Sequence, residues 1–139
     1  MVLGVGGVIK LKSGETVFVG RADIPVKGAK TFRIGPLKDN RRVSNYALGI
    51  KKSEDGTIEF GPVKQVINNE PYRSNNEIRF KNTREKDQLC VDWHRSGIGI
   101  DISSITVQDR ESKSGFVLLL TGSNEFTVSQ VLDNGILQK

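Results

Sequence analysis

Apolar residues recur at every second position through most of this chain, and that two-residue period constrains its fold more than any other feature. A strand sends successive side chains to opposite faces, whereas a helix repeats every 3.6 residues, so alternation marks half-buried strands. Ile9 and Leu11 share a phase that returns at Val17 and Val19 beyond Ser13-Gly14, which predicts a first hairpin. Residues 31–34 read as a strand closed by Gly35-Pro36. Tyr46, Leu48 and Ile50 alternate with small or polar neighbours, and Ser53-Glu54-Asp55-Gly56 turns them into residues 57–60. A third hairpin pairs residues 77–81 with 89–93, its inward set being Ile78, Phe80, Leu89, Val91 and Trp93.

Ile98, Ile100 and Ile102 alternate cleanly, but Ile105 and Val107 continue in the opposite phase. One extra residue flips the face, so Ser103-Ser104 predicts a β-bulge or sharp bend. The unbroken apolar run 116–120, entered through the turn 109–115, predicts a central strand covered on both faces. One segment reads as helical. Thr127 with Gln130 fits a capping box, Val128, Val131 and Leu132 sit at helical spacing, and Asn134-Gly135 supplies a stop, predicting a short C-terminal helix over 128–134.

Eight to ten short strands predict one all-β domain spanning 1–139, an antiparallel β-sandwich or partly closed β-barrel carrying that single helix. The prolines at 25, 36, 62 and 71 fall between strand candidates, and the Asn-rich stretch 68–76 reads as a long surface loop. At 139 residues the chain can bury a real core without staples.

Several function classes are excluded by what the chain lacks. With 36% hydrophobic residues to set against 27% charged, it does not read as disordered. Its longest apolar run, 116–120, falls far short of the roughly 20 residues that cross a bilayer, so no membrane partner is expected. The apolar start has no basic segment before it and is closed by Lys10, so no signal peptide is expected and the location reads as cytoplasm or virion. The single Cys90 excludes an intrachain disulfide and a multi-thiolate metal site. G-x-G-x-x-G, G-x-x-x-x-G-K-[ST] and G-x-S-x-G are all absent, and a lone histidine makes H-E-x-x-H impossible. No cofactor and no resident metal are expected.

The best group of reactive side chains is Cys90, Asp92 and His94, which share one face of a predicted strand. A nucleophilic Cys–His pair needs contact at about 3 Å, yet residues four apart on a strand stand about 13 Å from each other. Asp92 and His94 could touch or share a metal, but one histidine with one aspartate is an incomplete site. Glu111-Ser112-Lys113 is the only acid-x-Lys match to a nuclease pattern, and it lies in a turn that holds no common face. The chain therefore reads as non-enzymatic.

Charge has a direction along the chain. Residues 1–52 hold eleven Lys/Arg against three acids, a net of +8, while residues 53–139 hold ten against thirteen, a net of −3. Lys27, Lys30, Arg33, Lys38, Arg41, Arg42, Lys51 and Lys52 concentrate the basic half around Phe32 and Tyr46, two aromatics on core-facing phases. Such polarity suits head-to-tail contact between copies, basic side against acidic side. The expected function is a structural module acting through protein–protein contacts, a self-assembling homo-oligomeric subunit of a virion or tube-like particle. The alternative is a nucleic-acid-binding β-barrel that uses the basic segment 27–52. A small ligand- or glycan-binding domain lined by Tyr72 and Trp93 is a third reading.

Overall fold

The computed structural model describes residues 1–82, 87–96 and 102–138. Its strands are β1 (Val2–Leu3), β2 (Val8–Lys10), β3 (Thr16–Gly20), β4 (Lys30–Ile34), β5 (Leu48–Lys52), β6 (Ile58–Pro62), β7 (Lys64–Ile67) and β8 (Glu70–Arg73). They continue as β9 (Glu77–Asn82), β10 (Gln88–Leu89), β11 (His94–Arg95), β12 (Ile102–Gln108), β13 (Gly115–Gly122), β14 (Glu125–Asp133) and β15 (Ile136–Gln138). Among the described residues the only helical turn is a 3-10 turn at Leu37–Asp39, so the all-β expectation holds.

Two large sheets result, neither closed into a barrel. The first runs β1-β4-β3-β5-β6-β11; the second runs β10-β9-β12-β13-β14-β15, with β2 also on β14. Pairing is antiparallel except at β4, which lies parallel to both β1 and β3. Both sheets feed one core, in which Val17, Val19, Ile34, Leu48, Ile50 and Phe60 from the first meet Ile9, Ile105, Val107, Leu118, Phe126 and Val128 from the second. All twelve are fully buried.

Several local expectations are corrected. Ile9 and Leu11 share their phase with Val17 and Val19 because they face one core from opposite sides: β2 pairs with β14, whereas β3 pairs with β4 and β5. The turn at Ser13-Gly14 thus passes the chain between sheets and forms no hairpin. The second expected hairpin is present as β5 and β6. The third is cut short: on its β10 side β9 pairs with Gln88 and Leu89 and accepts from the Cys90 amide, while His94 and Arg95 cross to β6. Ile78 and Phe80 are buried as expected, but Leu89 is 44% and Val91 80% exposed.

The C-terminal helix is absent; its residues lie in β14 and the turn after it. A register shift between Val117/Leu118 on β13 and their β14 partners skips one residue, so Val128 and Val131 both reach the core. A bulge therefore reproduces a spacing of three that resembles one face of a helix. Asn134 (φ 51°) and Gly135 (φ 84°) form a two-residue hairpin turn of the primed kind, a role Asn-Gly fills as readily as a helix stop. The same geometry recurs at Asn68 (φ 51°) and Asn69 (φ 68°), making the supposed loop 68–76 a β7–β8 hairpin. Pro62 ends β6 and Pro71 sits in β8, so two of the four prolines lie within strands, both at sheet margins. The bulge expected at Ser103-Ser104 appears as a register shift between Ile102 and Ser104. Ile98 and Ile100 lie outside the described residues.

A candidate interaction surface on the second sheet

The outer faces of the two sheets are treated differently. On β3 the run Val17-Phe18-Val19 is buried throughout, so Phe18, which points away from the main core, has a cover of its own. That cover is a second cluster of Phe18, Tyr46, Val63 and Ile67, with Val26, Ala29 and Tyr72 packed against it. The Tyr46 amide donates to Tyr72 Oη at 3.0 Å, and Tyr46 Oη donates to the Ile24 carbonyl at 3.1 Å, pinning the 21–29 loop and the β7–β8 hairpin over the sheet. Burial, with Tyr72 beside it, pushes the Tyr46 phenol up from its ordinary range. Further along, Gly49 and Gly61 are cross-strand partners with no side chains, and the Trp93 indole lies against both. Its Nε1 donates to the Pro62 carbonyl at 2.9 Å. Tyr72 and Trp93 thus serve as cover for the first sheet.

The second sheet has no such cover among the described residues. Phe116 and Leu118 face the core, but Leu119, expected to be buried, is 40% exposed and Val117 is half-buried. Cross-strand register sets the composition of this outer face. Leu119 lies between Ser104 and Thr127, and Val117 between Thr106 and Gln130. Leu132 pairs with Leu137 on β15, and Thr127 pairs with Val8 on β2, placing both at the sheet edge. The centre is therefore apolar or uncharged, and it dips into a shallow depression of about 600 Å³ that Lys81 and Lys113 flank. Charges stand at the margins and largely neutralise each other: Arg79 binds Glu77 at 2.6 Å and Asp87 at 3.2 Å, and Lys10 approaches Glu125 at 3.8 Å. An apolar centre inside a polar rim is the anatomy of a protein–protein contact.

The basic residues singled out from sequence fall into two groups, near opposite ends of β4. Lys30 lies opposite Val17 and Lys51 opposite Thr16, so with Lys27 and Lys52 they gather near the start of β3. There Lys30 binds Glu15 at 3.1 Å, and the Lys52 ammonium donates to the Asn124 side chain. Lys38, Arg41 and Arg42 lie beyond the other end of β4, which is about 13 Å long, and Arg33 sits near that end on the outer face. Arg42 binds Glu111 at 3.2 Å. Phe32 and Tyr46 are both buried, as their phase implies.

Cys90, Asp92 and His94 are also dispersed. Cys90 is buried with its Sγ donating to the Asp92 carbonyl at 2.6 Å, and burial pushes its thiol up to about 11. The His94 ring stacks at 4.4 Å on Phe80 and 5.4 Å from Phe60, at the margin of the core. Asp92 is exposed. Among the described residues no group of three or more His, Cys, Asp or Glu is placed to hold a metal ion, and no helix is long and apolar enough to cross a membrane. Comparison with protein-family models, curated proteins and solved structures finds no match to this chain.

Proposed function

We propose that the chain is a non-enzymatic structural subunit that associates with further copies of itself through the outer face of its second sheet, as a repeated part of a shell or tube. One observation carries this reading. The chain holds two unbroken apolar strand runs, Val17-Phe18-Val19 and 116–120; it covers the first itself and leaves the second with Leu119 40% exposed. Five strand positions at about 4.8 Å spacing make this face about 19 Å across, and Ser104 to Gln108 spans about 13 Å along the strands. That is on the order of 250 Å² in plane, against about 800 Å² per partner in a standard interface. A single contact of this size is weak. Repeated contacts in a closed assembly make weak contacts sufficient.

The test is sedimentation velocity on native protein and on Leu119→Lys over a wide concentration range. An exposed strand position tolerates this change within about 0.5 kcal/mol of fold stability. Losing a leucine from the contact is worth about 1.5–3 kcal/mol, so association should weaken at least tenfold. A native chain that stays monomeric at millimolar concentration, or a Leu119→Lys chain that associates unchanged, overturns the proposal. The gathering of Lys27, Lys30, Lys51 and Lys52 near the start of β3 favours a second reading, polyanion binding. It requires oligonucleotide affinity that falls steeply with salt and drops in Lys30→Glu/Lys51→Glu.

A further inference from the structure

We infer that two copies of the chain join edge to edge, β15 of each pairing antiparallel with β2 of the other, so that the second sheet runs on across the dimer. The inference rests on the self-association reading above and adds a second contact, at the edge of the same sheet.

It begins with a shared edge. Phe126 on β14 pairs with Leu120 on one side and Ile9 on the other, and Leu132 pairs likewise with Gly115 and Leu137. Both β2 and β15 therefore lie on the edge of β14 that faces away from β13, in line and running in the same direction. Among the described residues no strand pairs with their far side. Free edges are normally blunted by proline or charge. Among the described residues of β2 and β15, this edge carries the exposed side chains of Val8, Ile136 and Leu137, with Lys10 as the one charged residue.

Backbone direction sets which residues can bond outward. The Leu11 amide donates to the Asn124 carbonyl at 2.7 Å, and the Gly7 carbonyl accepts from the Val128 amide at 2.9 Å. Antiparallel strands alternate the direction of these groups, so the N–H and C=O of Val8 point away from β14. The two-residue turn at Asn134-Gly135 closes on the bonded pair Asp133–Ile136, and the groups of the next residue, Leu137, likewise point outward.

Side-chain parity selects the same two residues. Leu137 lies beside Leu132 and Val8 beside Thr127, both on the outer face of the sheet. Antiparallel pairing requires opposed residues to share a face, and a slip of one residue breaks that match. The register that sets Leu137 of one copy against Val8 of the other satisfies the backbone, the parity and the apolar match together, and a two-fold axis repeats it. The edge doubles the uncovered outer face as well, joining the two patches into one apolar surface of about 500 Å² in plane, nearer to the size of a stable contact.

The test is disulfide trapping in Val8→Cys/Leu137→Cys. Within one chain the two positions lie opposite Thr127 and Leu132, about 17 Å apart along the edge, which no disulfide spans. Across the proposed pair they form a bonded cross-strand pair with Cα atoms about 5.5 Å apart, inside the disulfide range. Cys90 is buried and takes no part. Mild oxidation should give a covalent dimer on non-reducing electrophoresis from the double variant, and none from either single variant. Single variants mixed together should give the mixed dimer. A native chain that associates while the double variant fails to crosslink overturns the edge register and leaves self-association standing. A native chain that does not associate overturns both.

Discussion

Trp93 should be energetically coupled to Gly49 and more weakly to Gly61. A methyl group on Gly49 would meet Trp93 Cζ2 at 2.7 Å and Cη2 at 2.8 Å, while one on Gly61 would meet the Trp93 Cα itself at 2.8 Å. The Gly49 clash is relieved only by swinging the indole, which breaks its 2.9 Å bond to the Pro62 carbonyl. Overpacking costs about 1–3 kcal/mol and a lost neutral hydrogen bond about 1 kcal/mol, so Gly49→Ala should destabilise by about 2–3 kcal/mol. In a Trp93→Ala background the obstacle is gone. Alanine also has less unfolded-state freedom than glycine, so Gly49→Ala there should be neutral or stabilising by up to about 1 kcal/mol. The coupling is then about 2–4 kcal/mol, read from urea midpoints by far-UV circular dichroism at a shared slope. For Gly61→Ala the nearest opposing atom is backbone, with the Trp93 Cδ1 and Cγ at 2.9 Å, so Trp93→Ala relieves only part of the clash and the coupling should be smaller. A Gly49→Ala cost that is equal with and without Trp93 would refute the account of Trp93 as the cover of this trench.

Two further outcomes follow from turn and loop chemistry. Asn69 holds φ 68° at the second turn position of the β7–β8 hairpin, where glycine is unstrained, so Asn69→Gly should raise stability by about 0.5 kcal/mol while Asn69→Val lowers it; urea midpoints moving the other way would contradict the turn assignment. The Asp109 carboxylate accepts from the Ser112 amide and Oγ, both at 2.9 Å, and these bonds hold it below its ordinary 3.8. A depressed folded value adds stability that is present above the unfolded value and lost as pH falls through the folded one. Asp109→Asn should therefore flatten the acid limb of stability against pH, and parallel acid limbs in the two proteins would count against it.

The core was legible because burial follows two-residue phase: Val17, Val19, Leu48, Ile50, Ile78 and Phe80 all lie where alternation puts them. Partnership was not legible. Ile9 and Val17 share a phase whether their strands pair with each other or face each other across a core, and phase alone cannot separate the two. The bulge on β14 shows a different failure, since skipping one residue sets Val128 and Val131 three apart on one face, as a helix would. Of the outer face, the run 116–120 was visible, but its exposure depended on which segments fold over which sheet. Phe18, wedged between Val17 and Val19, was the sequence sign that the first sheet has a cover.

The charge polarity that suggested head-to-tail contact is partly consumed inside the chain. Arg42 and Lys10 of the basic half bind Glu111 and Glu125 of the acidic half, and the Asn40 side chain donates to Asp133 at 2.7 Å. Lys10–Glu125 lies within the second sheet, Asn40–Asp133 is part-buried, and the exposed ion pairs are worth about 0–1 kcal/mol each. Two ion pairs join the basic and acidic halves within one molecule, and the other basic residues are spread over both ends of β4. Apolar surface is the stronger lead. Burying Leu119 and Leu137 in a contact is worth about 1.5–3 kcal/mol each, more than any exposed ion pair supplies, and both belong to one face and one edge. An assembly built on that face should therefore hold in salt concentrations that dissolve a charge-driven one, because screening acts on ion pairs and leaves apolar burial intact.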